Sequence, residues 1–449
     1  MVDQAHVSDV RLSAEDNETI TRVGPGTPMG ETMRRYWQPV LLSWELPEPD
    51  GAPLRVRILG EDLVAYRDTS GRIGLMTEWC AHRRASLWLG RNEENGLRCV
   101  YHGWKYDVTG QCVDMPNVLP EHDFKERVRV RAYPTHEVGG VIWAYMGWGD
   151  AKGKQPPLPN FEWTRQPETH RHVSKAFQEC NWLQALEAGI DSVHTSFLHR
   201  RFAGDRAGLG GLRAQATRAN IEVRKAPYGY AYASTRPLGD GEGNFVRTYH
   251  YVMPFHQIRA IQAYTEDSPV KKFKIAGHMW VPVDDVNCMV WNWYYSLDLP
   301  LDDGERDEAF WGNGPQFVDF DNGFRSYLNR ENNWRIDREV QKNETFSGIE
   351  GVNQQDRAVQ ESMEPIVDRS HEHLSHTDMA VYAARQLLLS AVKTVADGGN
   401  PPGADDTYYN LRAIERVLPE DAWWADALKD EMYPTGGPDI ANAPQLGLS

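Results

Sequence analysis

The 449-residue chain lacks the long apolar runs, the cysteine framework and the basic surface of membrane, secreted and nucleic-acid-binding proteins. Its most apolar run, Val138 to Trp148, is far short of the ~20 residues that span a bilayer. Met1 to Glu18 is polar, with no apolar stretch of the kind a secretion signal needs, so a cytoplasmic location is expected. Basic residues are in deficit, 48 Lys and Arg against 64 Asp and Glu, for a formal net charge of −16. Such a surface repels a phosphate backbone, so no nucleic-acid partner is expected, while a local basic pocket for a small anion stays open. Cysteines number five: Cys80, Cys99, Cys112, Cys180 and Cys288. An odd count in a reducing compartment argues against disulfides, and for metal binding where Cys lies beside His. Tryptophan, by contrast, is plentiful at 16, which serves core packing first and pocket walls second. At ~100–200 residues per domain, the length allows two or three domains.

Residues 1–40 read as a polar arm with a short helix. Thr27 is its N-cap, Pro28 its first helical residue, and it runs through Met33 to Tyr36. Residues 41–150 read as all-β. Leu54, Val56 and Ile58 alternate with arginines; Leu63, Val64 and Tyr66 form a second strand, Ile73 to Met76 a third, and Val138 to Tyr145 closes the block. Turns are expected at Asp68 to Gly71 and Asp107 to Gly110, and a linker at Gly147 to Pro159. Residues 151–449 form a second domain. A helix is expected over Asn181 to His194, and strands over Phe245 to Val252, Phe273 to Val283 and Met289 to Tyr295. In the last, Met289, Trp291, Trp293 and Tyr295 share a face that suits core better than pocket. A long helix, Asp378 to Ala396, carries the stripe Val381, Ala384, Leu388, Ala391 and Val395 and stops at Gly398-Gly399. The fold class is therefore α+β: an all-β domain, then a sheet-bearing domain with a long C-terminal helix.

Two short strings carry chemistry. Cys80-x-His82 and Cys99-x-x-His102 each lie in a loop between β segments. Two thiolates and two imidazoles make a metal set. Zinc held by Cys₂His₂ is one reading. Zinc sites more often put two Cys in one pair and two His in the other, whereas each loop here supplies one of each. That suits a [2Fe–2S] cluster with two Cys on one iron and two His on the other. The second loop runs on as Gly103-Trp104, where Gly permits close backbone approach and Trp can shield a cluster. The two loops resemble a Rieske [2Fe–2S] domain. One departure is Arg84, where oxygenases with this domain commonly have Gly after the His-Arg pair.

Downstream, Asp191-x-x-His194-x4-His199 holds two His five residues apart. On an ideal helix they would stand about 140° apart, so one metal could take both only if the helix ended, loosened or bulged after His194. Satisfied structural histidines are the other reading. A 2-His-1-carboxylate set would leave positions on Fe(II) open for O₂. The string resembles the mononuclear-iron segment of Rieske non-haem iron oxygenases, in their terminal (alpha) component. Gly351 to Asp356 is similar to the distant segment that supplies the family's carboxylate. Val359 to Met363, Pro365 to Ser370 and Arg22 to Gly30 resemble the phthalate-dioxygenase-type branch, which includes dehydrodivanillate O-demethylases.

The resemblance implies a Rieske domain over 41–150 and a helix-grip catalytic domain with a central antiparallel sheet over 151–449. It implies cluster ligands Cys80, His82, Cys99 and His102, iron ligands His194, His199 and Asp356, and Asp191 as an electron bridge from His102 of one subunit to His194 of the next. It further implies a homotrimer or dimer of trimers, with electrons from NAD(P)H through a separate reductase and in some systems a ferredoxin. O₂ and an aromatic acid are the expected substrates. The pattern along the chain is nearer the O-demethylases of lignin-derived methoxylated acids; ring cis-dihydroxylation of a phthalate-like acid is the alternative. A Rieske electron carrier and a zinc-stapled binding protein are the readings from other classes. An aromatic acid wants a cation, for which Arg224, Arg247 and Arg259 are candidates, with Arg200, Arg201 and Arg206 after the iron segment.

Overall fold

The structure, a computed structural model, describes residues 11–148, 155–202, 211–212, 217–239, 241–262, 273–309, 311–404 and 410–446. It divides into two compact units, Val23–Leu158 and a larger one joining Met1–Arg22 to Pro159–Ser449. Among the described residues no helix is long and apolar enough to cross a membrane.

The smaller unit begins with helix α2, Pro28–Met33, which follows α1, Ala14–Thr21, of the larger unit. Thr27 caps α2 by accepting the Gly30 N–H at 3.2 Å. Three small antiparallel sheets follow. Strands β1 (Trp37–Leu42), β10 (Val141–Tyr145) and β9 (Thr135–Val138) make one. Strands β2 (Leu54–Ile58), β3 (Glu61–Arg67) and β4 (Ile73–Thr77) make the second. Strands β5 (Arg91–Glu93), β6 (Gly96–Arg98), β7 (Lys105–Tyr106) and β8 (Cys112–Asp114) make the third. The expected single strand from Val138 to Tyr145 is instead the second half of a hairpin. Gly139 and Gly140 have φ of 69° and 79°, the pair of positive angles that a tight two-residue turn requires.

The larger unit is built on one ten-stranded sheet. Its strands are β11 (Arg171–Gln178), β12 (Asn220–Ala226), β13 (Gly229–Pro237), β14 (Asn244–Val252), β15 (His256–Gln262), β16 (Lys274–Pro282), β17 (Cys288–Ser296), β18 (Val318–Asp319), β19 (Arg325–Ser326) and β20 (Glu415–Leu418). The spatial order is β12-β13-β14-β15-β16-β17-β11-β19-β18, with β20 paired to β14. All these pairings are antiparallel except β11 with β19. Helix α3, Trp182–Ile190, packs on β16 and on α4, Val352–Ser362. Helix α5, Met379–Ala396, packs on β12 and β13, and its expected stripe from Val381 to Val395 is buried. The chain does not end on α5: β20 and two short helices, Trp424–Ala427 and Lys429–Met432, follow it.

Helix α3 is shorter than expected. It stops at Ile190, and Asp191 turns to extended backbone at φ −60°, ψ 127°. The Asp191 carboxylate then accepts the N–H groups of Val193 and His194, at 2.7 and 3.1 Å. A side chain that takes the next backbone donors competes with the helix and ends it.

Candidate active site

In the smaller unit the four cluster-loop residues come from two loops, each closed on itself by backbone bonds. Cys80 N–H donates to Ala85 O at 2.9 Å and Arg84 N–H to Cys80 O at 2.9 Å. Cys99 N–H donates to Trp104 O at 2.8 Å and Gly103 N–H to Cys99 O at 3.0 Å. Gly103 has φ 79°, and a β-carbon there would meet Pro116 Cγ at 2.6 Å, so the turn needs glycine. Arg84 holds φ 62°, which accounts for the glycine common at that position.

The fold sorts the donors by type. Burial, and then the neighbouring Cys80 thiol, push the Cys99 thiol up against the lowering pull of the Tyr101 N–H. The rings of His82 and His102 are 4.3 Å apart at their centroids. Burial, then the neighbouring His102 and Arg83, pushes His82 down and keeps it neutral. Its Nδ1 is buried with no hydrogen-bond partner. A thiol pair beside an imidazole pair fits a two-iron cluster better than one tetrahedral zinc. Trp104 stacks on His82 at 4.5 Å and 11° between planes. The Tyr106 hydroxyl lies 3.3 Å from Cys80 Sγ and accepts the Ala81 N–H at 3.2 Å. Sequence reasoning missed Tyr106, whose only signal is its place in the strand leaving the second loop.

In the larger unit, donor atoms of His194, His199 and Asp356 all lie within 4.8 Å of one another, a distance one ion can span. His194 Nε2 and His199 Nε2 both face Asp356 Oδ1, at 3.4 and 3.3 Å. The His199 ring faces inward because its other nitrogen is held. His199 Nδ1 is 2.8 Å from Gln355 Oε1, whose amide nitrogen donates to Ile349 O at 2.8 Å. Gln355 is therefore an acceptor, which puts the His199 proton on Nδ1 and leaves Nε2 for a metal. His194 Nδ1 faces Asp191 Oδ2 at 3.5 Å. Gln355 was missed as a functional residue; its signal is its place immediately before Asp356. The three side chains keep 15–23% of their surface exposed, enough to leave room beside an ion. Burial opposes a charge on His194, but Asp191 and then Asp356 more than offset it and push its pKa up to about 10 in the metal-free chain. Burial likewise opposes the Asp356 charge, yet His199 and His194 hold it well below the usual carboxylate range. Such a set is primed for a cation and fits divalent iron.

Near this triad, though lined by none of its three side chains, lies a small pocket. Arg259, His278, Trp293, Tyr294 and Trp311 are among its walls, as is Asn353, one helical turn before Asp356 on α4. Trp293 and Tyr294 are neighbours on β17 and point to opposite faces, so the face shared by Trp291, Trp293 and Tyr295 packs in the core, Trp293 on Trp163. Gly277 opposite Trp293 has no side chain because a β-carbon would sit 2.1 Å from the indole. Arg259 donates to His278 Nε2 at 3.3 Å and lies 5.3 Å from the Trp311 ring centroid. Burial, then the charge of Arg259, holds His278 neutral, well below the usual range. The other candidate cations are placed elsewhere. Arg247 is buried against Glu415 at 2.5 Å and donates to Ala260 O. Arg224 lies over Trp423 at 4.8 Å and donates to Ala443 O. Arg200 and Arg201 are not among the cavity walls, and Arg206 lies outside the described residues.

Two family models match. Residues 36–134 match the Rieske [2Fe-2S] domain, and residues 144–433 match the domain described as LigXa C-terminal domain like. The oxygenase subunit of 3-chlorobenzoate-3,4-dioxygenase from Comamonas testosteroni is 37% identical over 444 residues, covering 93% of this chain and 98% of that protein. The chain belongs to the Rieske non-haem iron oxygenases. A Rieske cluster and a mononuclear iron come with that membership, and the chain is an oxygenase subunit of the aromatic-oxygenase kind. This oxygenase is also 40% identical to the 5,5'-dehydrodivanillate O-demethylase oxygenase subunit of Sphingobium sp., over 50% of this chain and 52% of that one. In fold, it matches the structure of Pseudomonas putida CBB5 NdmA with caffeine at a TM-score of 0.61 and 19% identity, covering 88% of this chain and 99% of that one.

Proposed function

We propose that this subunit oxygenates a single-ring aromatic carboxylate, by cis-dihydroxylation of the ring. The observation that carries the reading is the pocket: a guanidinium with Tyr294 and Trp311, and Asn353 one helical turn from Asp356. The relative that matches over 98% of its own length is named for 3-chlorobenzoate, an acid with one ring. Similarity to a ring dioxygenase over 98% of that relative's length supports the same reaction class. O-demethylation is the second reading, supported by the 40% identity over half the chain to an O-demethylase subunit.

In this reading Cys80, Cys99, His82 and His102 hold the cluster, and His194, His199 and Asp356 hold the mononuclear iron. When bound, the metals supply single-electron storage and O₂ activation. The chain's own side chains do the positioning. Gln355 fixes the His199 ring, and the Asp191 carboxylate faces His194 Nδ1, so both rings present Nε2. Arg259 receives the substrate carboxylate, while Tyr294 and Trp311 flank the ring and exclude water. Asp191 keeps 24% of its side chain exposed, so an imidazole of a neighbouring copy can reach it. That supports a ring-like trimer in which His102 of one copy meets Asp191 of the next. Electrons come from NAD(P)H through a separate reductase, in the cytoplasm.

The test is turnover with reductase, NADH and a panel of benzoates, following O₂ uptake and products. A cis-diol from an unsubstituted or chlorinated benzoate is expected; formaldehyde from methoxybenzoates, with no diol from the others, would select the second reading. Arg259→Leu is expected to lower kcat/KM for the acid by about 10- to 100-fold, the worth of a charge-assisted hydrogen bond. An unchanged kcat/KM would remove Arg259 from the carboxylate site.

A further inference from the structure

The cavity has a second polar wall that a carboxylate does not use. Glu308 and Asn313 flank Trp311 on the loop over the sheet, and both line the cavity. Asn313 is 1% exposed, and neither its Oδ1 nor its Nδ2 has a hydrogen-bond partner. Glu308 is 3% exposed, and its Oε1 has none. Its other oxygen lies 3.5 Å from His172 Nε2, on β11. Between Arg259 on β15 and His172 on β11 stand β16 and β17. Three strand spacings put those two backbones about 14 Å apart. Glu308 is thus tethered on the side of the cavity away from Arg259. Its backbone also sits in the left-handed region at φ 55°, a conformation that a side chain disfavours and that ligand sites retain.

Buried polar atoms with no partner are rare, and these belong to two residues that line one pocket. A carboxylate oxygen accepts; an amide both donates and accepts. A hydroxyl meets the Glu308 oxygen and the Asn313 amide nitrogen together. We propose that this wall binds a phenolic hydroxyl, so that the substrate is a hydroxylated aromatic acid; the inference rests on the carboxylate reading of Arg259. The O–H donates to Glu308 Oε1 and its oxygen accepts from Asn313 Nδ2. A methoxy group only accepts, and would leave the Glu308 oxygen facing a methyl. An aniline nitrogen is a poor acceptor and would leave the Asn313 N–H unmet.

The experiment is anaerobic calorimetric binding to the metal-loaded oxygenase without reductase, using benzoate, meta- and para-hydroxybenzoate and the matching methoxybenzoates. One hydroxybenzoate is expected to bind about tenfold or more tighter than benzoate, because a site built for a hydroxyl discriminates against its absence. Asn313→Leu and Glu308→Gln are each expected to bring that Kd close to the benzoate value, with melting curves reporting on the fold; if the first variant fails to fold, the second decides. Equal binding of benzoate and both hydroxybenzoates to the unmodified protein, a preference for the methoxy acids, or an advantage that survives in both variants overturns the hydroxyl site. Failure of every acid to bind, or an Arg259→Leu variant that binds all of them undiminished, overturns the carboxylate reading, and the hydroxyl proposal falls with it.

Discussion

Asp191 does two jobs with one carboxylate: it ends α3 by accepting two backbone N–H groups, and it faces His194 Nδ1. Asp191→Asn keeps an oxygen for the turn but removes the charge. Iron content and cluster colour are expected to persist while turnover falls at least 10- to 100-fold, the usual effect of removing a group that orients a metal ligand. Loss of iron together with activity would show the residue to be structural only. His194 allows a second prediction, for the metal-free chain. Its folded pKa of about 10 exceeds the ordinary ~6.5, so the folded state binds its proton more tightly than the unfolded one. The resulting stability is complete below pH ~6.5 and is lost as pH rises through about 10. The melting temperature of metal-free protein is expected to fall between pH 7 and 10, and Asp356→Asn to flatten that fall. A metal-free protein with a level profile across the window would contradict the arrangement of Asp191 and Asp356 around His194.

Helix α3 is the element that positions the iron segment, and it lies against β16 through Gly189. A β-carbon on Gly189 would come within 2.0 Å of the Trp280 ring. Gly189→Ala is therefore expected to push α3 off the sheet, at an overpacking cost of about 1–3 kcal/mol read as a lower melting temperature. Iron occupancy should fall with it, since Asp191 and His194 follow directly. Unchanged melting would mean that Trp280 moves freely. The extent of α3 was only half legible in the sequence: its N-cap Asn181 was, its end was not. The apolar period runs on toward His194, and the side-chain bonds of Asp191 that break it leave no periodic trace. Strands show the same limit. Strand β2 alternates, and β3 and β4 are short apolar runs bounded by turns, so all three were legible. Strands β13 and β15, with buried Ser234, Arg236 and Gln257, blur a period of two and were missed. The cavity was invisible for the same reason: its walls come from β15, β16, β17, α4 and the loop carrying Glu308, brought together only by the sheet order.

At the scale of the molecule, the two metal centres lie in units with separate cores. The Cys80, Cys99 and Trp104 side chains belong to a core cluster with Tyr66, Leu97 and Tyr106, all within residues 23–158. The triad is held by α3, α4 and the segment after α3, all within residues 159–449. The cluster loops were legible because their ligands sit two and three residues apart and each loop closes on itself. Asp356 was legible only through family resemblance, since more than 150 residues and most of the sheet separate it from His199. Units with their own cores should lose metal independently. The loaded protein is expected to hold about three irons and about two acid-labile sulfides per chain. Asp356→Ala should remove about one iron and leave the visible spectrum of the cluster intact, because nothing in the smaller unit's core depends on it. Cys99→Ser should remove about two irons, both sulfides and the red-brown colour, yet leave one iron that a mild chelator strips. If either substitution empties both sites, the two centres are coupled through folding; a zinc-loaded, colourless protein would mean that the thiol and imidazole pairs of the loops hold something other than a cluster.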